Sequence, residues 1–328
     1  MDFNLIVWIC LFIFIAGLLA FDLLVLHKNE DISHKKTAIE TLFWIAIAMG
    51  FSGVLYLIYK NDLVHNPTHL TPYRAAVKYI TGYLIELSLS VDNLFVIAMI
   101  FTSYKIPLKY QHKALFWGII GAIVFRGIMI AVGVVLFNKV SWIVYVFGVF
   151  LLFTAVKMLW EAINHKDENH DETSALDHFM RKHLKISKNL DGNKFFTIEN
   201  GVKVATPLFG ALIIIELTDL LFAVDSIPAI LAISHDSLIV FCATIFATLG
   251  LRSMYFFLAN MLERFRYLKY SVIVILFYIG LKMLLMHNTK ELFNIDEIPE
   301  WFSLSVIFVS ILVGILVSLK AEKNATKV

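Results

Sequence analysis

Nine stretches of this chain are each long and apolar enough to cross a lipid bilayer, and nothing else in the sequence restricts the fold so tightly. They run over about 3–26, 40–59, 79–101, 114–137, 142–160, 207–234, 238–262, 268–286 and 300–319. A spanning helix needs roughly 20 predominantly apolar residues, since in hydrocarbon the segment must satisfy its own backbone N–H and C=O groups. Strands of a membrane barrel would be about half that length and would alternate in polarity. Only 16% of the 328 residues are charged, where a soluble domain carries about a quarter. The expected class is an all-α polytopic membrane protein with about nine transmembrane helices.

The placement of the charges gives the expected orientation. The side reached after the first span holds 19 basic residues, among them Lys28, Lys35, Lys36, Lys105, Lys109, Lys113, Arg264 and Arg266. The opposite side holds five: Lys60, Arg74, Lys78, Lys139 and Lys290. The positive-inside rule makes the richer side cytoplasmic. The N-terminus is therefore expected outside and the C-terminus in the cytoplasm, in the plasma (inner) membrane. The first run opens MDFN, without a positive charge, and no A-x-A-like site follows it, so it reads as a retained span rather than a signal peptide. Cys10 and Cys242 both fall in apolar runs and suggest neither a disulfide scaffold nor a metal cluster.

Most loops are short. The exception, 161–206, opens with the polar NHKDENHDETSALDH and closes with KFFTIENGVKVAT. Two β-prone runs around Asn200-Gly201 predict a small hairpin, while the His-rich start reads as a solvated loop. An internal repeat organises the rest. VDNLFVIAMIF (91–101) resembles VDSIPAILAIS (224–234), with Glu86 six residues before Asp92 and Asp219 six before Asp225. Each acidic span is followed by one with an embedded arginine, Arg126 or Arg252, and then by one with a lysine, Lys157 or Lys282. Three spans per unit is an odd number, so the second copy runs opposite to the first. Inverted repeats are a transporter signature, with the site near the midplane where the repeats meet. The expected organisation is two peripheral spans in 1–78, a first three-helix repeat in 79–161, a cytoplasmic loop in 162–206, a second repeat in 207–287, and a final span with its tail in 288–328.

Ionisable side chains near the bilayer centre cost about 2.5–3.5 kcal/mol each on insertion scales. Glu86, Asp92, Glu216, Asp219 and Asp225 must therefore face one another, a cation or the arginines. Arg126 and Arg252 can balance only two of the five, and Lys157 and Lys282 lie near helix ends where they can snorkel to water. An uncompensated negative site in a low-dielectric interior holds protons or binds a cation. Carboxylates with the amide of Asn93 and the hydroxyls of Ser90, Thr218 and Ser226 are hard oxygen ligands, suited to Mn2+, Ca2+ or Mg2+. Two carboxylates six residues apart do not share a helical face, and Pro228 follows Asp225 by three. Helix breaks are therefore expected within SLSVDN and LFAVDS. Asp22, at the cytoplasmic end of the first span, reads as interfacial.

The stretches FDLLVLH (21–27), TGYLIELSLSVDNLFV (81–96), QHKALFWGIIGAIVFRG (111–127), KFFTIENG (194–201), ATPLFGALIIIELTDLLFAVDSIPAI (205–230) and LERFRYLKY (262–270) resemble the TerC family of integral membrane proteins, including its Alx branch. The resemblance implies a place among manganese-efflux proteins. It also implies a metal path of Glu86, Asp92, Asn93, Glu216, Asp219, Asp225 and Ser226. Manganese comes from the resemblance alone; the residues reach only a hard divalent cation. The expected function is export of that cation by proton antiport, with Glu86 and Asp219 carrying the protons and Arg126, Arg252, Lys157 and Lys282 balancing charge. The expected partners are the cation and the lipid bilayer, with no nucleic acid, no resident cofactor and no enzymatic activity. The chain has no Walker-type GxxxxGK[ST] stretch, so ATP use is not expected. The alternative is a non-transporting membrane scaffold or redox modulator, a role that the resemblance also carries. An intramembrane aspartyl hydrolase, a third class, would need acids facing each other with access to water.

Overall fold

The computed structural model describes residues 3–22, 34–66, 69–140, 142–164, 186–187, 190–199, 201–258, 267–285 and 299–325. Among them the chain forms nine long helices: α1 (Phe3–Phe21), α2 (His34–Lys60), α3 (Pro72–Ser103), α4 (Leu108–Lys139), α5 (Ile143–Asn164), α6 (Pro207–Leu231), α7 (Ser237–Leu258), α8 (Leu268–Leu285) and α9 (Glu300–Ala325). Eight are long and apolar enough to cross a membrane. The other, α3, has 32 residues and carries Arg74, Lys78, Glu86 and Asp92. The polytopic all-α architecture is the one that the apolar runs require. The His-rich start of the long loop, 165–170, lies outside the described residues.

The outer helices turn apolar faces outward. Val124, Phe125, Ile128, Val132 and Val135 of α4 are exposed, as are Val146, Val149, Phe153 and Val156 of α5. Exposed apolar surface on this scale is foreign to a soluble monomer and suits lipid. At the centre stands α7, where 19 of 22 residues are buried, as expected of a helix apolar on every side. It packs against α2, α3 and α4; α3 and α4 also pack against α6, and α5 against α8. Peripheral α1 touches α7 through Trp8 and Phe12 on Phe241, with ring centroids 5.5 and 5.6 Å apart.

Small residues set the close approaches. A Cβ added at Gly82 of α3 would stand 3.2 Å from the Cβ of Ala243 on α7. Between α5 and α8 the contact is reciprocal. A Cβ at Gly148 would lie 3.2 Å from the Gly280 carbonyl oxygen, and one at Gly280 would lie 3.0 Å from that of Gly148.

Two sequence expectations meet a definite answer in the backbone. The runs beside Asn200-Gly201 pair as antiparallel strands β1 (Phe196–Glu199) and β2 (Val202–Ala205), with Glu199 opposite Val202. Gly201 takes φ +76°, which glycine adopts without steric cost. Thr206 then caps α6: its hydroxyl accepts from the Phe209 amide at 3.4 Å and donates to the Lys194 carbonyl at 2.8 Å. The expected helix breaks, in contrast, do not occur. Both α3 and α6 run as uninterrupted α-helix through SLSVDN and LFAVDS. Pro228 lies three residues before the end of α6, so the donor it removes is lost where the helix is already closing.

Candidate functional site

Four helices converge on the polar residues. Arg126 of α4 lies between Glu86 of α3 and Asp219 of α6. Its Nε donates to Asp219 Oδ2 at 3.0 Å and its Nη2 to Oδ1 at 2.6 Å, a bidentate geometry that fixes both groups. Its Nη1 meets Glu86 Oε1. Arg126 and Glu86 are each 1% exposed, so the bridge is shielded from solvent. One guanidinium thus ties α3, α4 and α6 together.

Glu216 stands three residues before Asp219, a neighbouring position on α6. Its carboxylate occupies the space that a side chain at Gly121 of α4 would fill; a Cβ there would overlap Glu216 Oε1. Without that glycine, the acid could not lie against α4. Glu216, Asp219 and Arg252 line a small cavity with Gly118, Leu115 and Leu251. Its volume is about 30 Å³, room for a water molecule or one bare ion. The cavity is bounded by α3, α4, α6 and α7.

Several buried oxygens of α3 and α6 have no hydrogen-bond partner among the described residues: Glu86 Oε2, Ser88 Oγ, Ser90 Oγ, Glu216 Oε2 and Ser226 Oγ. Buried polar atoms are normally paired, so each such atom needs an explanation; for Glu216, which lines the cavity, an ion or water there would supply one. Asn93 is buried too. The Thr218 hydroxyl donates to the Ile214 carbonyl at 2.7 Å within its own helix, which leaves its oxygen lone pairs able to meet a cation. Asp92 and Asp225 belong to α3 and α6, but their side chains lie outside the described residues. Among the described residues, no three of His, Cys, Asp and Glu gather closely enough to hold a metal.

Arg252 and Lys282 depart from the sequence reading, and Lys157 does not. Arg252 of α7 is engaged by Asp22 at the end of α1, with Nη2 2.8 Å from Oδ2 and donating to the Asp22 carbonyl at 3.1 Å. Asp22 is 2% exposed: it is a buried ion-pair partner and not an interfacial residue. Lys282 does not snorkel to water. It is buried and donates to Ser303 Oγ of α9 at 3.0 Å, where Tyr278 also bonds at 2.8 Å. Lys157 is exposed. Among the described side chains, Asp22, Glu86, Glu216 and Asp219 against Arg126 and Arg252 leave an excess of two formal negative charges.

The model of the integral membrane protein TerC family matches residues 71–326, which take in every helix from α3 to α9. The chain belongs to the TerC family. Its relatives align along almost their whole length. An uncharacterized membrane protein of Rickettsia bellii (strain RML369-C) is 42% identical over 312 residues, covering 95% of this chain and 96% of its own. An uncharacterized membrane protein of Myxococcus xanthus is 40% identical over 319 residues, 97% of this chain and 93% of its own. The putative membrane-bound redox modulator Alx of Escherichia coli (strain K12) is 41% identical over 305 residues, 92% of this chain and 89% of its own. No solved structure matches. The TerC match contains Arg126, the cavity and Glu216, while Asp22 falls before its first residue.

Proposed function

We propose that this TerC-family protein is a transporter that exports a hard divalent cation, Mn2+ first among them, through the carboxylate-lined cavity between α3, α4, α6 and α7. The observation that carries this reading is the net-negative cavity that Glu216 and Asp219 line together with Arg252. Its lining holds one formal negative charge in excess, which a bound cation would offset. Counting from Pro207 at 1.5 Å per residue, Glu216 and Asp219 lie about 14 and 18 Å along a helix of about 38 Å. That is close to mid-membrane, where an ionisable group has a functional role by default.

The inverted repeat belongs to this proposal, and the packing supports it. Exchanging α3, α4 and α5 for α6, α7 and α8 maps the α3–α7 contact onto α4–α6, and α5–α8 onto itself. The Gly148–Gly280 crossing has the same reciprocity. With the N-terminus outside and the C-terminus inside, as the 19-to-5 basic bias requires, Glu216 is the cavity acid nearer the cytoplasm. Moving a +2 charge outward against 100 mV costs about 4.6 kcal/mol, from roughly 2.3 per charge, so export needs an energy input. Inward proton flow supplies it. Glu86 and Asp219, the acids expected to carry protons, are the two that Arg126 holds; Glu216, with an oxygen free to accept, is better placed for exchanging proton and metal.

A redox role is the second reading, favoured by the description of the Alx relatives. Inside-out vesicles separate the two. Vesicles containing the protein should accumulate Mn2+ when their lumen is acidic, alkalinise as they do so, and be inhibited by Ca2+ or Mg2+ only in excess. No metal movement, together with a protein-dependent change in membrane thiol or quinone redox state, would replace transport by the redox reading.

A further inference from the structure

Arg252 borders two acidic neighbourhoods. On one side it lines the cavity with Glu216 and Asp219. On the other it is gripped by Asp22, through both the carboxylate and the backbone carbonyl. Glu40 of α2, also buried, adds a second negative charge acting on Arg252. The guanidinium also lies 5.9 Å from the ring centroid of Phe116. Arginine is always charged and reaches far from its Cα. Were it turned toward Glu216, it would place a permanent cation where the cargo must bind.

We propose that Asp22 parks Arg252. The end of α1 engages the guanidinium in an ion pair with Asp22 rather than with Glu216, and that keeps the carboxylates of α6 available to a divalent cation. Asp22 is then a positioning residue, acting on the site through Arg252 without touching the cargo. This assigns a task to α1, whose other contacts with the bundle are apolar, through buried Leu11 and Ile15 and through Trp8 and Phe12 on Phe241. It rests on the transport reading for its consequence, but the parking itself is a property of the protein without metal. The electrostatic logic is competition. One unit charge placed beside a buried carboxylate changes its affinity for a competing cation by about ten- to a thousandfold.

The test uses the full chain in lipid nanodiscs and has two arms. The first measures Mn2+ binding. Asp22→Asn, alone and with Glu40→Gln, should weaken it at least about tenfold. Adding Arg252→Gln to either should return affinity to within about threefold of wild type, and Asp22→Glu should stay close to wild type. A merely structural pair could be rescued in the same way, because removing both partners orphans no charge; the coupling to Glu216 in the second arm separates the two. The second arm needs no metal. Unfolding midpoints should show Glu216→Gln and Arg252→Gln acting additively in the wild-type background, and coupled once Asp22 is Asn. Coupling that appears while wild type binds no Mn2+ would sink the transport reading and leave the parking intact. Additivity in both backgrounds, or weakened binding that Arg252→Gln does not rescue, would overturn the proposal.

Discussion

Replacing Arg126 by Gln removes the cation between two buried carboxylates. Breaking a buried ion pair by deleting one partner costs about 3–5 kcal/mol, because the other charge stays in low dielectric uncompensated. Here two charges are orphaned: Glu86, whose side chain is 1% exposed, and Asp219, at 14%. Neither is exposed enough for solvent to screen it, so the upper half of that range applies, about 4–5 kcal/mol. At 1.4 kcal/mol per tenfold, the folded-to-unfolded ratio should fall about a thousandfold or more. The assay is unfolding in mixed micelles titrated with a denaturing detergent, followed by the fluorescence of the six tryptophans. A companion variant, Glu86→Gln with Arg126→Gln and Asp219→Asn, leaves no charge unpaired and should recover most of the loss while transporting nothing. A destabilisation below about 1 kcal/mol for Arg126→Gln would put it among surface ion pairs and refute the bridge as drawn.

Gly121→Ala should leave the bundle folded yet abolish export, because the new methyl takes the place of the Glu216 carboxylate; metal uptake by vesicles reads this, and full activity would mean that Glu216 does not need that position. Tags at the two termini should report opposite sides of the membrane, and finding both on one side would end the inverted-repeat proposal. At the hairpin, Asp191 accepts from Lys194 at 3.1 Å and Thr197 at 3.0 Å, and these bonds lower its pKa from the ordinary 3.8. Its contribution is therefore complete above pH 3.8 and is lost only as pH falls through the lower folded-state value; the protection factor of the Thr197 amide, its exchange rate relative to that of an open chain at the same pH, should stay constant down to that window.

The sequence makes the helices legible because bilayer thickness turns each span into a run of known length, and a charge inside a run is conspicuous. It makes the hairpin legible because Asn-Gly between β-prone runs has few other uses. The pairing of the charges is less visible. Arg126 joins Glu86 and Asp219 from three helices, and Arg252 finds Asp22 at a separation of 230 residues, a contact that no local spacing announces. Asp22 reads as interfacial because it ends an apolar run; only the packing of α1 beside α7 buries it. Lys282 misleads for the same reason, since its place in the last turn suggests water while Ser303 of α9 meets it instead. Gly121 reads as a packing residue, and only its position opposite Glu216 gives it a place in the chemistry. The break expected in α6 fails because one proline near a C-terminus does not interrupt a helix already ending; the one expected in α3 rested on carboxylate spacing alone, which a continuous helix accommodates by turning the two acids to different faces.

The central claim is that the acids between α4 and α6 carry a divalent cation. Purified protein in liposomes, with Mn2+ outside and an acidic lumen, tests it with no other membrane component present. Uptake should depend on the protein and the pH gradient, raise the luminal pH as metal enters, and disappear in Glu216→Gln although that variant folds. Uptake at the wild-type rate in Glu216→Gln, or none in wild type under any gradient, would contradict the account.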